Sequence, residues 1–257
     1  MNKKILFLLT SIVFIFTGCI TSAQSAHRKK PPSHLFVKIF KDLEIKICSK
    51  NGDKKCVVKK FRSTGSGMIV RLSKGKKIVL TAGHVCTSED QLAAIEKWKK
   101  DTKNAYSWSE FITVFDRNRN VHQGHIILDT KISSGNADLC SLYVPTLEYI
   151  SKFSYVTMSG APPQIGEDII YIGAPYGIYH PPTALIIKGV FSGKIDKISS
   201  LISAASAPGA SGSVILSKDY KVYGVLFAVH PKFPTATIIT SYKETKKFLE
   251  VTEKLLQ

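Results

Sequence analysis

Short strand-like segments separated by turn residues are the feature that most constrains the fold of this chain. Most of them are rich in β-branched and aromatic residues and are bounded by Gly, Pro, Asn, Asp or Ser, as strands of a sheet usually are. Clear examples are residues 43–47, 67–72, 77–81, 125–128, 139–144, 168–172, 184–191, 222–229 and 235–240. Many short strands indicate an all-β domain, built as a sandwich or a barrel.

Only two segments have the pattern of a helix. Residues 88–103 begin with a capping box in which Ser88 is paired with a glutamine three residues later. Residues 242–256 follow a second capping box, which begins at Ser241. The predicted apolar face of this last helix consists of Phe248, Val251 and Leu255. We therefore expect a β domain with one inserted helix and one helix that closes the chain.

Length and composition exclude several classes of protein. With 257 residues, of which 44% are hydrophobic, the chain can form one large core or two small ones, so it is neither a disordered tail nor a disulfide-stapled peptide. The formal net charge is +17, and the basic residues are dispersed along the chain. A basic surface could attract acidic substrates or anionic lipid, but no aromatic-interleaved basic motif is present, so we do not expect nucleic acid as a partner.

The first residues have the pattern of an export signal. Lys3 and Lys4 precede an apolar run at residues 5–16, which is too short for a comfortable transmembrane helix. The run ends at Phe-Thr-Gly-Cys, which resembles the lipobox of bacterial lipoproteins, although Phe16 stands where leucine is usual. We expect residues 1–18 to be a signal peptide and residues 19–34 a tether that is lipidated at Cys19. The expected location is periplasmic or cell-surface, on the membrane, and a soluble secreted protein cleaved near residues 23–25 is the alternative.

Four cysteines remain after Cys19, and thiols that reach an oxidising compartment are expected to pair. They are Cys48, Cys56, Cys86 and Cys140. The first two flank a hairpin turn signal. A two-residue turn at Asn51 and Gly52 would place them on opposite faces, whereas a loop centred on Gly52 would place them directly opposite each other. We favour the pair of Cys48 with Cys56, which leaves Cys86 for Cys140.

Three further segments carry the residue types of nucleophilic catalysis. LTAGHVC ends a strand with His84, NADLCSL opens a strand with Asp138, and PGASGS places Ser211 in a glycine-rich turn. A serine hydroxyl is a poor nucleophile until a positioned imidazole takes its proton, and the imidazole needs a carboxylate that fixes its tautomer. The same turn can aim the N–H groups of Gly209 and Ser211 at a developing oxyanion. The order and the local contexts together predict a His-Asp-Ser triad.

These motifs resemble those of trypsin-like serine proteases of the chymotrypsin fold, in particular the bacterial Deg/HtrA and V8-like branches. The resemblance extends to GSGMIV from Gly65, DIIYIGAPYG from Asp168 and KGVFSG from Lys188. It implies an all-β protease domain at residues 35–257 with two six-stranded antiparallel barrels, the first at about 35–145 and the second at about 160–240. It also implies a polypeptide substrate and no cofactor or metal. Too little chain follows Ser211 for a PDZ domain, so none is expected.

Within this resemblance, the chain departs from its relatives and leaves alternatives for the site. Ala210 replaces the aspartate or asparagine that usually precedes the nucleophile, so activation by a new N-terminus is not expected. His122 or His125 could replace His84 as the base, and Asp129 could replace Asp138. The two histidines lack clustered ligands, which is more typical of a solvated strand face than of a metal site.

The resemblance also places a disulfide and a substrate pocket. Cys86 and Cys140 each follow a triad residue by two positions, so a bond between them would brace the His84–Asp138 geometry. The primary pocket would be formed by Ala205, Ser206, Phe227, Ala228 and Val229, with no carboxylate among them. We therefore predict cleavage after small or medium apolar residues, while nearby His230 keeps a preference for glutamate as an alternative. The predicted function is an exported serine endopeptidase, and the alternative is a protease-fold binding or adhesion protein that lacks turnover.

Overall fold

The predicted strands of the first half of the chain form a closed antiparallel barrel. The computed structural model describes residues 30–48, 56–87, 105–130, 137–147 and 155–257. The strands of the first barrel are β1 (Phe36–Cys48), β2 (Cys56–Arg71), β3 (Lys77–Thr81), β4 (Ala105–Phe115), β5 (Val121–Thr130) and β6 (Leu139–Tyr143). They pair in the order β1-β2-β3-β6-β5-β4, and β4 closes the barrel on β1.

The second half forms another closed six-stranded barrel. Its strands are β7 (Asp168–Gly173), β9 (Thr183–Lys194), β10 (Ser199–Ser203), β11 (Val214–Ser217), β12 (Val222–His230) and β13 (Phe233–Thr240), and a two-residue strand β8 (Tyr179–His180) lies outside the ring on β9. The order is β10-β13-β12-β11-β7-β9, and pairing of β9 with β10 closes the ring. The prediction of two six-stranded antiparallel barrels is confirmed.

The strands alternate between the barrel interior and the outside, as the period of two requires. In β1 every second residue from Val37 to Ile45 is buried, and Lys41 is one of them. β2 behaves differently in its two halves, because residues 56–60 are exposed whereas residues 65–70 are buried on both faces. Because residues 65–70 are buried on both faces, another part of the protein must cover this half of β2 on the side that points away from the barrel interior.

The described residues contain few helices. Helix α1 (Gly83–Cys86) follows β3, and helix α2 (Tyr242–Leu255) closes the chain with Ser241 as its N-cap. Phe248 is buried in α2, but Val251 and Leu255 are 39% and 58% exposed, so the predicted apolar face is wrong at these two positions. The buried face is formed instead by Thr245, Phe248, Leu249 and Thr252, because the threonines find partners inside the protein.

The remaining predictions about the fold concern the helix at 88–103, the signal peptide and the pair of Cys48 with Cys56. The predicted helix at 88–103 and the predicted signal peptide with Cys19 lie outside the described residues. In the described ranges, no helix has the length and apolar character needed to cross a membrane. Cys48 lies directly opposite Cys56 in the β1–β2 register and forms a disulfide with it, so this predicted pair is confirmed.

Candidate active site

His84 and Asp138 are in direct contact through two hydrogen bonds. The Nδ1 atom of His84 lies 2.5 Å from Oδ2 of Asp138, and the backbone N–H of His84 donates to Oδ1 of the same carboxylate at 2.8 Å. Asp138 is buried, whereas His84 is exposed. A carboxylate is only an acceptor, so Nδ1 carries the proton and Nε2 is left as a proton acceptor on the exposed side. This is the tautomer that a general base needs.

The segment around His84 is held in place from several sides. A Cβ added at Gly83 would lie 2.3 Å from the carbonyl oxygen of Thr130 and 2.5 Å from Oδ1 of Asp138, so only glycine allows this close approach. Cys86 is bonded to Cys140, as predicted. These constraints fix helix α1 against the first residues of β6.

A buried lysine holds the other end of α1. Lys41, on β1, donates from Nζ to the carbonyl oxygen of His84 at 3.2 Å and to that of Thr87. The last carbonyl groups of a helix have no partner within the helix, and a cation there is favourable. The sequence analysis did not identify Lys41. The signal for it was a lysine at a position of β1 where the alternation of side chains places a buried residue.

Ser211 lies in a pair of consecutive tight turns. The N–H of Ala210 donates to the carbonyl of Ala207, and the N–H of Ser213 donates to that of Ala210. Each turn has glycine at its third position, with φ of +93° at Gly209 and +89° at Gly212. The first turn, with proline in the second position, has the form of a type II turn. A side chain at Gly212 would lie 2.0 Å from the carbonyl oxygen of Ser66, so glycine is required there as well.

The second half of β2 joins this turn to the first barrel. The N–H of Ser66 donates to the carbonyl of Ser211 at 2.8 Å. A Cβ added at Gly65 would lie 2.6 Å from Val85 on one side and 3.1 Å from the carbonyl oxygen of Ser211 on the other. The structure therefore brings Val85, next to His84, and the backbone of Ser211 close to one position on β2. This contact between barrels, together with the pairing of Val70 with Val156, contributes to the burial of residues 65–70.

The turn also presents backbone donors. Within the described ranges, the N–H groups of Gly209 and Ser211 have no hydrogen-bond acceptor. The carbonyl of Pro208 accepts from the N–H of Tyr176 at 2.6 Å. Because the carbonyl and the N–H of one peptide point in opposite directions, this bond turns the N–H of Gly209 away from Tyr176. Two unpaired N–H groups near a serine form a site that can stabilise an oxyanion.

The residues predicted for the substrate pocket lie on two segments that both pair with β13. Ala205 and Ser206 follow β10, and the N–H of Ser206 donates to the carbonyl of Pro234. Phe227, Ala228 and Val229 lie on β12, where the register shifts between Leu226 and Ala228 so that Phe227 is the extra residue. His230 is exposed at the end of β12, opposite Phe233.

A tyrosine that the sequence analysis did not identify contacts the first of these two segments. Tyr171 is fully buried on β7, and its hydroxyl donates to the carbonyl of Ala205. Burial raises the pKa of Tyr171 to about 12. The hydroxyl of Tyr171 is therefore uncharged at physiological pH, so it adds no charge beside Ala205.

The alternative base His122 has a different environment from the one predicted. It is buried and not part of a solvated strand face, because its ring is enclosed between Asp116, 3.3 Å from Nε2, and Thr146, 2.6 Å from Nδ1. Burial raises the pKa of Asp116, but hydrogen bonds from Asn120, Asn118 and His122 outweigh it and hold the pKa below its ordinary value. His125 is exposed, as expected for a solvated face.

Metal-ligand geometry gives no further candidate. Among the described residues, no group of three or more His, Cys, Asp or Glu side chains is arranged to hold a metal ion. Asp129, the alternative carboxylate, lies on β5 opposite Cys140 and is partly buried. The carboxylate that accepts hydrogen bonds from His84 is that of Asp138.

Two solved structures with a similar fold are bacterial proteases. The serine endoprotease from Yersinia pestis superposes with a TM-score of 0.57 at 16% sequence identity, over 87% of this chain and 63% of the Yersinia chain. This chain thus spans less than two thirds of the length of that protein. The active form of the Rv3671c protease from M. tuberculosis superposes with a TM-score of 0.56 at 15% identity, over 85% of this chain and 81% of the other. At these identities the likeness shows the fold.

Sequence comparison adds the family. No curated protein matches this chain. The model of the trypsin-like peptidase domain matches residues 65–225, which is more than half of the chain and contains His84, Asp138 and Ser211. Together with the two barrels, this match shows that the chain belongs to the trypsin-like peptidase family.

Proposed function

We propose that this protein is a serine endopeptidase that uses His84, Asp138 and Ser211. The observation that carries the proposal is that the ring and the backbone N–H of His84 both donate hydrogen bonds to one buried carboxylate, that of Asp138. A carboxylate in this position holds the imidazole with Nε2 available and stabilises the imidazolium that forms during the reaction.

The chemistry follows from these positions. Ser211 Oγ attacks the carbonyl carbon of the scissile bond while His84 Nε2 takes the hydroxyl proton. The N–H groups of Gly209 and Ser211 stabilise the negative oxygen of the tetrahedral intermediate. His84 then gives the proton to the leaving amine, and the acyl group stays on Ser211. Water, deprotonated by His84, hydrolyses this ester and restores the serine.

A fluorophosphonate probe tests the assignment, because it phosphonylates only an activated serine. We expect the native chain to be labelled and Ser211→Ala to be unlabelled. Ser203→Ala removes an exposed hydroxyl on β10 and serves as the matched control, which should be labelled like the native chain. A folded native chain that neither reacts with the probe nor cleaves peptides would contradict the proposal and favour a protease-fold binding or adhesion protein.

We also propose that the pocket accepts small or medium apolar side chains. Ala205, Ser206, Phe227, Ala228 and Val229 carry no charge, and Tyr171, whose hydroxyl donates to the carbonyl of Ala205, is neutral. A panel of fluorogenic peptides should show cleavage after Ala, Val or Leu. Ala205→Asp should raise the share of cleavage after Lys and Arg, because it adds a carboxylate to the pocket. Strong cleavage after Lys, Arg or Glu by the native chain would show that the proposed specificity is wrong.

The proposal for location rests on the sequence before residue 34. The cationic start, the apolar run and Cys19 favour export and a lipid anchor on the membrane. Incorporation of a labelled fatty acid that is lost in Cys19→Ala, with a shift from the membrane to the soluble fraction, is the expected result. A native chain without lipid, starting near residues 23–25 by mass spectrometry, would favour the soluble secreted form.

A further inference from the structure

Two side chains of the first barrel reach turns of the second barrel: Ser66 bonds the turn of residues 207–210, and Lys38 bonds the turn Pro175–Gly177. Ser66, on β2, is fully buried, and its hydroxyl donates to the carbonyl of Gly209 at 2.9 Å. The same hydroxyl accepts from the N–H of Ala174 at 3.0 Å. One oxygen therefore connects the turn that carries the oxyanion donors to the end of β7.

The second side chain is Lys38 on β1. Its Nζ donates to the carbonyl of Gly177 at 2.9 Å. Gly177 ends the 3₁₀ turn Pro175–Gly177, in which Tyr176 has a positive φ of 52°, an unfavourable conformation for a tyrosine. The N–H of this tyrosine is the group that holds the carbonyl of Pro208. Lys38 thus stabilises a strained turn, and the N–H of Tyr176 in that turn fixes the direction of the Pro208–Gly209 peptide.

We propose that Ser66 and Lys38 are positioning residues for the oxyanion hole, an inference that rests on the proposed peptidase function. Type I and type II turns differ by rotation of the central peptide. If the Pro208–Gly209 peptide rotated, its carbonyl would point where the N–H of Gly209 now points, and the oxyanion would meet an acceptor instead of a donor. The carbonyl of Pro208 accepts from Tyr176, and the carbonyl of Gly209 accepts from Ser66. These are the carbonyls immediately before and after the Gly209 N–H, so the two bonds oppose rotation of the peptide that carries it.

The first test is kinetic. Loss of one oxyanion donor reduces kcat by about 10²–10³-fold in serine proteases. A donor that is only partly misdirected should cost less, so we expect Lys38→Met and Ser66→Ala to lower kcat by about 10–100-fold with KM within about twofold. Lys38→Arg keeps a donor and should restore most of the rate. Lys188→Met, which removes an exposed lysine of β9, is the matched control and should change neither constant.

The second test does not depend on turnover. Hydrogen exchange of the backbone amides in a peptide that covers residues 207–212 should be faster in Lys38→Met than in the native chain and in Lys188→Met. If the native chain is inactive but hydrogen exchange of residues 207–212 is faster in Lys38→Met, the proposed peptidase function is wrong. The role of Lys38 in positioning this turn is then still supported. If the native chain is active, and Lys38→Met folds with unchanged kcat and unchanged exchange, the inference is overturned. The Lys38 variants decide the question even if Ser66→Ala does not fold.

Discussion

The disulfide between Cys86 and Cys140 joins the helix that carries His84 to the strand that follows Asp138, and its removal should have a measurable cost. Both cysteines are fully buried, their Cα atoms are 6.4 Å apart, and 54 residues separate them in sequence. The disulfide between Cys48 and Cys56 is a natural control, because it closes a separation of only 8 residues at the end of the β1–β2 hairpin.

The two bonds differ in how much they restrict the unfolded chain. In the chain-entropy treatment, a loop of 54 residues corresponds to about 4 kcal/mol of stability at 25 °C and a loop of 8 residues to about 2.5 kcal/mol. Loop length alone therefore predicts that the double variant Cys86→Ala/Cys140→Ala loses about 1.7 kcal/mol more than Cys48→Ala/Cys56→Ala. Loss of packing around the buried pair adds to this difference.

Urea unfolding of the native chain and of both double variants measures these free energies. A loss of about 4 kcal/mol should also lower Tm by about 8–16 °C in a domain of this size. At 10 °C, where both variants are expected to be folded, the variant without Cys86–Cys140 should react more slowly with fluorophosphonate, whereas the control should keep the native rate. Equal losses of stability in the two variants, or a larger loss in the control, would refute the loop-length reasoning.

Three further predictions follow from single contacts. Asp138→Asn should keep the fold but lower kcat by about 10⁴-fold, because an amide no longer holds the required tautomer of His84, and steady-state kinetics with circular dichroism would test this. Gly209→Ala should abolish probe labelling, since φ is +93° and the new Cβ would lie 2.7 Å from the carbonyl oxygen of Ala174; labelling at the native rate would contradict it. Asp116→Ala should cost about 2 kcal/mol near pH 7, where its hydrogen-bonded carboxylate is charged. Because the folded-state pKa of Asp116 is lowered, its contribution is present above the unfolded-state pKa and is lost as pH falls through the folded-state pKa, so in urea unfolding the difference between the two chains should shrink near pH 2.

Local patterns were enough to predict many of the strands, although β4, β10 and β11 were not among them. The predicted strand at 77–81 coincides with β3, and the other predicted strands largely fall within observed ones, because alternation of side chains is a property of neighbouring residues. The match of the family model and the two barrels agree with the resemblance seen in the sequence. Both disulfide pairings could also be predicted, since each depended on spacing within a hairpin or relative to His84 and Asp138.

Burial that depends on distant segments could not be predicted in the same way. His122 is buried because Thr146, 24 residues later in the sequence, encloses its ring together with Asp116. Val251 is exposed because the face of α2 that meets the protein includes buried threonines, which a hydrophobic pattern does not recognise. Tyr171 contacts Ala205 although 34 residues separate them.

The sequence by itself determined which residue types could perform the chemistry and in what order they occur, because His84, Asp138 and Ser211 each lie in a recognisable local context. Only the tertiary structure decided how the donors beside Ser211 are aimed. The hydroxyl of Ser66 reaches Gly209 across 143 residues of sequence, and the ammonium of Lys38 reaches Gly177 across 139. These two bonds form only when one barrel packs against the other, so no local pattern of amino acids predicts them.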